Sequence, residues 1–179
     1  MGCVKSCMSA EEDGVKRFSV RKSLSVLLSS KMRLEMEAPL RPFCGVHYKL
    51  IKTENLDDYL AEIGVNFFKR KFAVKMLPTN FQLNYYSGVY VLKTYSHLLH
   101  VETKFKLGEE VDVKTPDGRK CKVIFTYIPP NKLLEVQKCP VVNQVERVFT
   151  PQTMETILTV NACVCKMLFL RAEKRRRFF

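Results

Sequence analysis

Apolar and polar side chains alternate along much of the second half of the chain, which is the pattern of half-buried β-strands. The clearest case is residues 156–171, TILTVNACVCKMLFLR. Because strand side chains point alternately to opposite faces, one face before residue 161 carries Thr156, Leu158 and Val160. One face after residue 162 carries Cys163, Cys165, Met167 and Phe169. Lys166 lies on the other face, and Asn161 tolerates a left-handed turn. The stretch therefore predicts a hairpin with one soft, apolar wall.

Similar short runs fill residues 81–149, separated by turn residues. They are FQLNYY, VYVLKTYSHLL, VETKFKL, EEVDVK, RKCKVIFTYI, KLLEVQK and VERVF. The pair Asp117 and Gly118 between two of them is a strong hairpin signal. No regular strand–helix alternation, internal repeat or heptad is visible. Many even strands predict an all-β fold, a closed antiparallel barrel.

Two short helices are predicted between the first and second strands. Residues 43–51, FCGVHYKLI, are predicted as the first strand. The stretch NLDDYLAEIG then begins a helix at Asn55, with acidic residues in its first turn and Gly64 at its end. The stretch VNFFKRKFAVK predicts a second helix that ends before Pro78.

Composition adds a preference for anionic partners. The chain is 46% hydrophobic, so it is predicted to fold, and its net charge of +12 indicates contact with nucleic acid or an acidic membrane. No glycine-rich RNA-binding strand motif is present, so nucleic acid is not a predicted partner. Seven cysteines without a visible secretory signal predict reduced thiols in the cytoplasm. No apolar run is long enough to span a bilayer.

The first residues, MGCVKS, match a myristoylation pattern with Gly2 as acceptor, and Cys3 beside it is a candidate for palmitoylation. Residues 14–34 are basic, without an acidic residue, and partly amphipathic, which is typical of a membrane-surface segment. This predicts an acylated, flexible extension over residues 1–41. An alternative is that the native chain begins at Met32 or Met36, which would remove the motif.

Four stretches together resemble a known family: FCGVHYKLIKTENLDDYLAEIGVNFFKRKFA, KFKLGEEVDVKTPDGRK, NKLLEVQK and CVCKMLFLR. Residues 43–171 resemble the intracellular lipid-binding proteins, which include the fatty-acid-binding and cellular retinoid-binding proteins. The resemblance implies a ten-stranded antiparallel up-and-down β-barrel with a helix-turn-helix lid over residues 42–172. A basic tail, residues 173–179, would follow it. The resemblance also places the second helix at the ligand portal. Its basic residues then predict a membrane-docking face, as an alternative to a merely solvated one.

The departures from the family concern the ligand head group. Fatty-acid binders hold the ligand carboxylate with an arginine and a tyrosine on the last strand, and those positions match Met167 and Phe169. The resemblance places a second internal cation at Lys138, Arg119 near the cavity and a portal residue at Leu98. A buried methylene contributes about 0.8 kcal/mol, and one charge-assisted hydrogen bond about 1.5–3 kcal/mol. A long apolar ligand with a neutral or weakly acidic head group is therefore expected.

The sequence gives little support for a metal site, a redox pair or a catalytic site. His97 and His100 are too sparse for a zinc site, and Cys163 and Cys165 are predicted as ordinary buried thiols. No nucleophile–base pattern is visible, so neither an enzyme, a metal nor a cofactor is predicted. We expect a monomeric carrier of a fatty acid or other long-chain lipid, cytoplasmic or on the cytoplasmic face of a membrane. The alternative is an acylated scaffolding protein whose barrel has lost its ligand. An open apolar cavity favours the first, and a filled one favours the second.

Overall fold

Ten β-strands and two α-helices make up the part of the chain that the structure describes. The structure is a computed structural model that describes residues 38–115 and 118–172, without the side chains of residues 73–76. The helices are α1 (Leu56–Glu62) and α2 (Phe67–Met76). The first five strands are β1 (His47–Glu54), β2 (Asn80–Tyr86), β3 (Val89–Tyr95), β4 (His100–Phe105) and β5 (Glu110–Lys114). The others are β6 (Lys120–Ile128), β7 (Lys132–Lys138), β8 (Asn143–Phe149), β9 (Thr153–Val160) and β10 (Cys163–Arg171).

The strands form one antiparallel sheet that curls into a nearly closed barrel, as predicted. Their order is β4-β3-β2-β1-β10-β9-β8-β7-β6-β5, and the first and last strands meet where Tyr48 of β1 pairs with Arg171 of β10. Because the strands run up and down, successive turns alternate between two ends of the barrel. We call the end that carries α1 and the β9–β10 turn the mouth, and the opposite end the floor.

The β9–β10 hairpin confirms the prediction from alternation. Cys163 pairs with Val160 across the turn, and Asn161 has a left-handed φ of 50°. Met167 and Phe169 are buried in the interior, whereas Lys166 is exposed. The first strand begins later than residue 43 and continues to Glu54; its start is delayed because residues 41–43 form a 3-10 turn and Gly45 has a φ of 75°. An extended strand therefore begins only at residue 47.

Stacked aromatic rings fill the floor end of the barrel. Phe105 and Phe125 stack with their centroids 3.8 Å apart, and Tyr90 stacks on Phe105 at 5.5 Å. A second group surrounds Phe149, whose ring lies 5.2 Å from Phe43. Buried aromatic pairs add to the hydrophobic stabilisation, and here they also close one end of the interior. Within the part of the chain that the structure describes, the space left beside these rings lies towards the mouth.

Helix α1 is fixed to the β9–β10 hairpin by side-chain hydrogen bonds. Asn55 occupies the N-cap position with a φ of 56°, but its side chain does not cap the helix; Nδ2 donates instead to the carbonyl of Val164 at 3.4 Å. At the other end, Nδ2 of Asn161 donates to Oε1 of Glu62 at 2.6 Å. Gly64, with a φ of 82°, ends the helix as predicted.

The expectation that all cysteines are reduced is wrong for one pair, because Cys121 of β6 and Cys139 after β7 form a disulfide. Lys122 pairs with Lys138, so the two cysteines occupy the next opposed positions on neighbouring strands, with Cα atoms 4.6 Å apart. That Cα separation lies within the range a disulfide requires. The two cysteines are 18 residues apart in sequence, and the sequence alone does not show that the register of β6 and β7 places them opposite each other.

Candidate ligand-binding cavity

A cavity of about 440 Å³ lies between the helices and the aromatic floor. Mostly apolar side chains line it, among them Leu60, Ile63, Leu92, Phe125, Val145 and Leu158. Its volume falls within the range of about 300–1,000 Å³ that is usual for small-molecule sites. Apolar lining at this scale suits a hydrophobic molecule and leaves recognition of a head group to the few polar side chains inside.

The wall formed by β10 contributes Met167 and Phe169, which the sequence placed at the head-group positions. Both line the cavity. Met167 pairs across the sheet with Thr156, and Thr156 pairs in turn with Arg147 of β8. Neighbouring strands lie about 4.8 Å apart, so Met167 and Arg147 stand at one level of the barrel, roughly 10 Å apart.

Arg147 belongs to a buried ion pair that projects into the cavity. Its Nη1 lies 2.5 Å from Oε2 of Glu135 on β7, and their side chains are only 10% and 5% exposed. The guanidinium also lies over the ring of Phe81, 5.6 Å from its centroid. The other oxygen of Glu135 accepts a hydrogen bond from Nε2 of Gln137 at 2.5 Å. Both oxygens of the carboxylate are thus held by the protein itself.

The polar chain continues from this pair to the lid. Nδ2 of Asn143 donates to Oε1 of Gln137 at 3.0 Å and to the hydroxyl of Tyr59 on α1 at 2.8 Å. Nη1 of Arg119 approaches Oδ1 of Asn143 at 3.5 Å, and Arg119 lines the cavity. Among the residues described, every buried side-chain nitrogen and oxygen has a hydrogen-bond partner. A continuous network therefore joins the interior ion pair to α1.

Two candidate residues lie elsewhere than expected. Lys138 faces outwards and pairs with Glu110 at 2.8 Å, because Gln137 beside it faces inwards and strand side chains alternate. Cations that do line the cavity include Arg147 and Arg119. Leu98 lies in the β3–β4 turn at the mouth end, but it is 70% exposed and does not line the cavity.

Alternation in the sequence already contained the signal for the residues that were missed. In KLLEVQK, Glu135 shares a face with Leu133 and Gln137, and that face is the buried one. A carboxylate on an apolar face needs a buried partner. Arg147 supplies it from a position diagonal to Glu135, since Glu135 itself pairs with Val145. Only the β7–β8 register, which the sequence does not show, identifies Arg147 as that partner.

Helix α2 stands beside the mouth with an unusual surface. Phe67, Phe68 and Phe72 are exposed by 52%, 73% and 61%. Phe72 also lines the cavity, as does Lys69 on the same helix. The ammonium of Lys71 lies over the ring of Phe67, 4.7 Å from its centroid. Aromatic and basic side chains are therefore mixed at the entrance.

The two thiols on β10 have raised pKa values, which favours their neutral form. Burial raises the pKa of Cys165 to about 11, and burial also raises the pKa of Cys163. In the described ranges no cluster of histidine, cysteine and acidic side chains forms a metal site. No helix among the described residues is both long and apolar enough to cross a membrane.

The sequence model of the lipocalin / cytosolic fatty-acid binding protein family matches residues 45–148. The chain belongs to this family. Among family members it is 36% identical over 124 residues to a fatty acid-binding protein of Tyrophagus putrescentiae, covering 69% of this chain and 94% of that one. It is 32% identical over 135 residues to cellular retinoic acid-binding protein 1 of Hippocampus comes, covering 73% and 98%.

Solved structures of family members agree with the barrel. A fatty acid-binding protein from brain tissue of Drosophila melanogaster superposes with a TM-score of 0.66 at 34% identity, covering 72% of this chain and 98% of that one. A fatty acid binding protein of Schistosoma mansoni, solved in complex with arachidonic acid, has a TM-score of 0.69 at 26% identity, covering 75% and 98%.

Proposed function

We propose that the protein binds a long apolar ligand in its cavity and carries it, as a binding protein rather than an enzyme. The observation that carries this proposal is the cavity itself, about 440 Å³ of space that the aromatic floor leaves unfilled. An interior filled by side chains would have favoured the scaffolding alternative instead. Membership of the family, whose matched members include fatty acid- and retinoic acid-binding proteins, supports the same function.

Filling the cavity tests this proposal. Leu158→Trp places an indole in the cavity, whereas Ile157→Trp places one on the outer face of the same strand. The chain has no tryptophan of its own, so each variant also provides a single tryptophan whose emission can be followed. Delipidated wild-type protein should bind Nile red with enhanced emission, L158W should lose most of this binding, and I157W should keep it. Absence of binding by the wild-type protein would instead support the scaffolding alternative.

Delivery to an anionic membrane is the second part of the proposal, and helix α2 supports it. Exposed phenylalanines can enter the interface of a bilayer, and a basic side chain close to an anionic surface contributes about 1 kcal/mol. Phe68 is the most exposed of the three, and Lys69 and Lys71 are its neighbours. A ligand leaving past Phe72 would therefore emerge at the membrane-facing side.

Vesicle binding and ligand transfer test the role of α2. Phe68→Ser should reduce both the binding to vesicles with phosphatidylserine and the rate of ligand transfer to them. Tyr86→Ser is the matched control, since Tyr86 is 61% exposed in the strand that leads to the β2–β3 turn, at the floor end. Equal effects of the two substitutions would contradict docking through α2.

Anchoring through the N-terminal extension completes the proposal. Gly2, Cys3 and the basic stretch 14–34 lie outside the described residues, as does the tail 173–179, so their support comes from the sequence alone. One myristoyl chain binds with about 10⁴ M⁻¹ and needs a second signal, which Cys3 or the basic stretch would supply. Gly2→Ala should move the protein to the soluble fraction of its own cells, and Cys3→Ser should weaken its retention. Unchanged fractionation of G2A would refute anchoring and leave the cavity proposal intact.

A further inference from the structure

The ion pair with Glu135 determines which ligand head groups Arg147 can bind. An unpaired guanidinium in an apolar cavity attracts a carboxylate, because two charge-assisted hydrogen bonds then form at once. Here the carboxylate of Glu135 already lies 2.5 Å from Arg147, and Gln137 holds its second oxygen. The protein therefore places its own carboxylate where a fatty acid would place one.

A second carboxylate at this position meets an electrostatic penalty. Two carboxylates that share one buried site cannot both ionise without a large cost. A neutral head group meets no such penalty. Arginine has five N–H donors and a carboxylate about four lone-pair sites, so a hydroxyl can accept from Arg147 and donate to Glu135. Met167, on the same level of the barrel, adds no charge.

We infer that Glu135 makes the inner end of the cavity selective for long-chain ligands with a neutral, hydroxyl-bearing head group, such as a fatty alcohol or a monoacylglycerol, over the corresponding acid. This inference rests on the proposed function, since it names the ligand class of the same cavity. It assigns Glu135 as a specificity-determining residue that acts by neutralising Arg147.

Basic side chains at the mouth would allow an alternative arrangement, in which the ligand binds in the reverse orientation. Lys69, Lys114 and Arg119 line the cavity at or near the entrance. A fatty acid bound in the reverse orientation, with its carboxylate at the mouth, would avoid Glu135. In that arrangement the acid would bind at least as tightly as the alcohol, and Glu135 would have no influence on the ratio.

A matched pair of ligands decides between these arrangements. Oleic acid and oleyl alcohol share one chain, and each would displace the neutral probe Nile red from full-length, delipidated protein at about pH 8, where a free carboxylic acid is ionised. The wild-type protein should bind the alcohol about tenfold more tightly than the acid, or better. Glu135→Gln should raise acid affinity about tenfold or more and change alcohol affinity much less.

Glu146→Gln is the control variant, because it removes the same charge from the outer face of β8, where Glu146 pairs with Lys132 at 2.6 Å. Equal acid affinities in E135Q and E146Q would overturn the role of Glu135. Wild-type protein that binds oleic acid as tightly as oleyl alcohol would overturn the selectivity while leaving lipid binding intact, and this comparison decides the matter even if E135Q does not fold. Displacement by neither ligand would refute the proposed function and the inference together.

Discussion

Replacing Arg147 with methionine should strongly destabilise the barrel, even though methionine fits an apolar interior. The substitution leaves Glu135, whose side chain is 5% exposed, without the guanidinium beside it. Breaking one partner out of a buried pair typically costs about 3–5 kcal/mol, because the remaining charge stays buried and uncompensated. Whole domains unfold at about 5–15 kcal/mol, so the loss should be easily measured. Glu135→Leu should cost a similar amount for the same reason.

Removing both charges together should restore most of that loss. Replacement of a buried ion pair by apolar residues of similar volume is often neutral, or stabilising by about 1–4 kcal/mol. The double variant Glu135→Leu/Arg147→Met should therefore be within about 1 kcal/mol of the wild-type protein, or more stable. The two single effects would then be far from additive, as expected for side chains in direct contact.

Urea unfolding followed by far-UV circular dichroism measures this cycle. The outward pair Lys132 and Glu146 lies on the same two strands at 2.6 Å, but its side chains are 33% and 31% exposed. Solvent screens such a pair, so its cycle should give no more than about 1 kcal/mol of coupling. Additive losses at Glu135 and Arg147, or an equal coupling at the outward pair, would refute the assignment of a desolvated interior ion pair.

Four further outcomes are expected. Reduction of the Cys121–Cys139 disulfide, which closes a loop with a sequence separation of 18, should lower the free energy of unfolding by about 3 kcal/mol. Met167→Arg should raise affinity for a free fatty acid relative to its neutral ester in probe displacement, because it adds a cation on the level of Arg147. Phe125→Ala should cost about 3–5 kcal/mol in urea unfolding, since the stacked floor loses a ring. Because burial raises the pKa of Cys165 to about 11, the folded state favours the neutral thiol; that stabilisation is present below the ordinary thiol pKa and fades as the pH approaches 11. Iodoacetamide at about pH 8 should therefore label Cys165 only after unfolding.

Local patterns in the sequence predicted the barrel and its last wall well. Period-two alternation identified the interior face of β10, and Gly64 and Asn161 marked two turns through their backbone preferences. The head-group region was harder, because the ion pair depends on the lateral register of β7 and β8. A sequence shows which face a side chain takes, but not which residue stands beside it on the next strand. Lys138 was misplaced for a different reason: the resemblance assigned it to the cavity, although alternation with the inward-facing Gln137 places it on the outer face.

The pairing of β1 with β10 also constrains how this protein is made. Tyr48 meets Arg171 only after nearly all of the barrel has been synthesised, so the two halves of the sheet, β1–β4 and β5–β9, cannot be joined earlier. Until then β1 and β9 each present an unpaired edge, and unpaired strand edges are prone to pairing with other chains. The strand that joins these halves, β10, also carries Met167 and Phe169. The step that joins the two halves of the sheet therefore also adds the cavity wall that carries Met167 and Phe169.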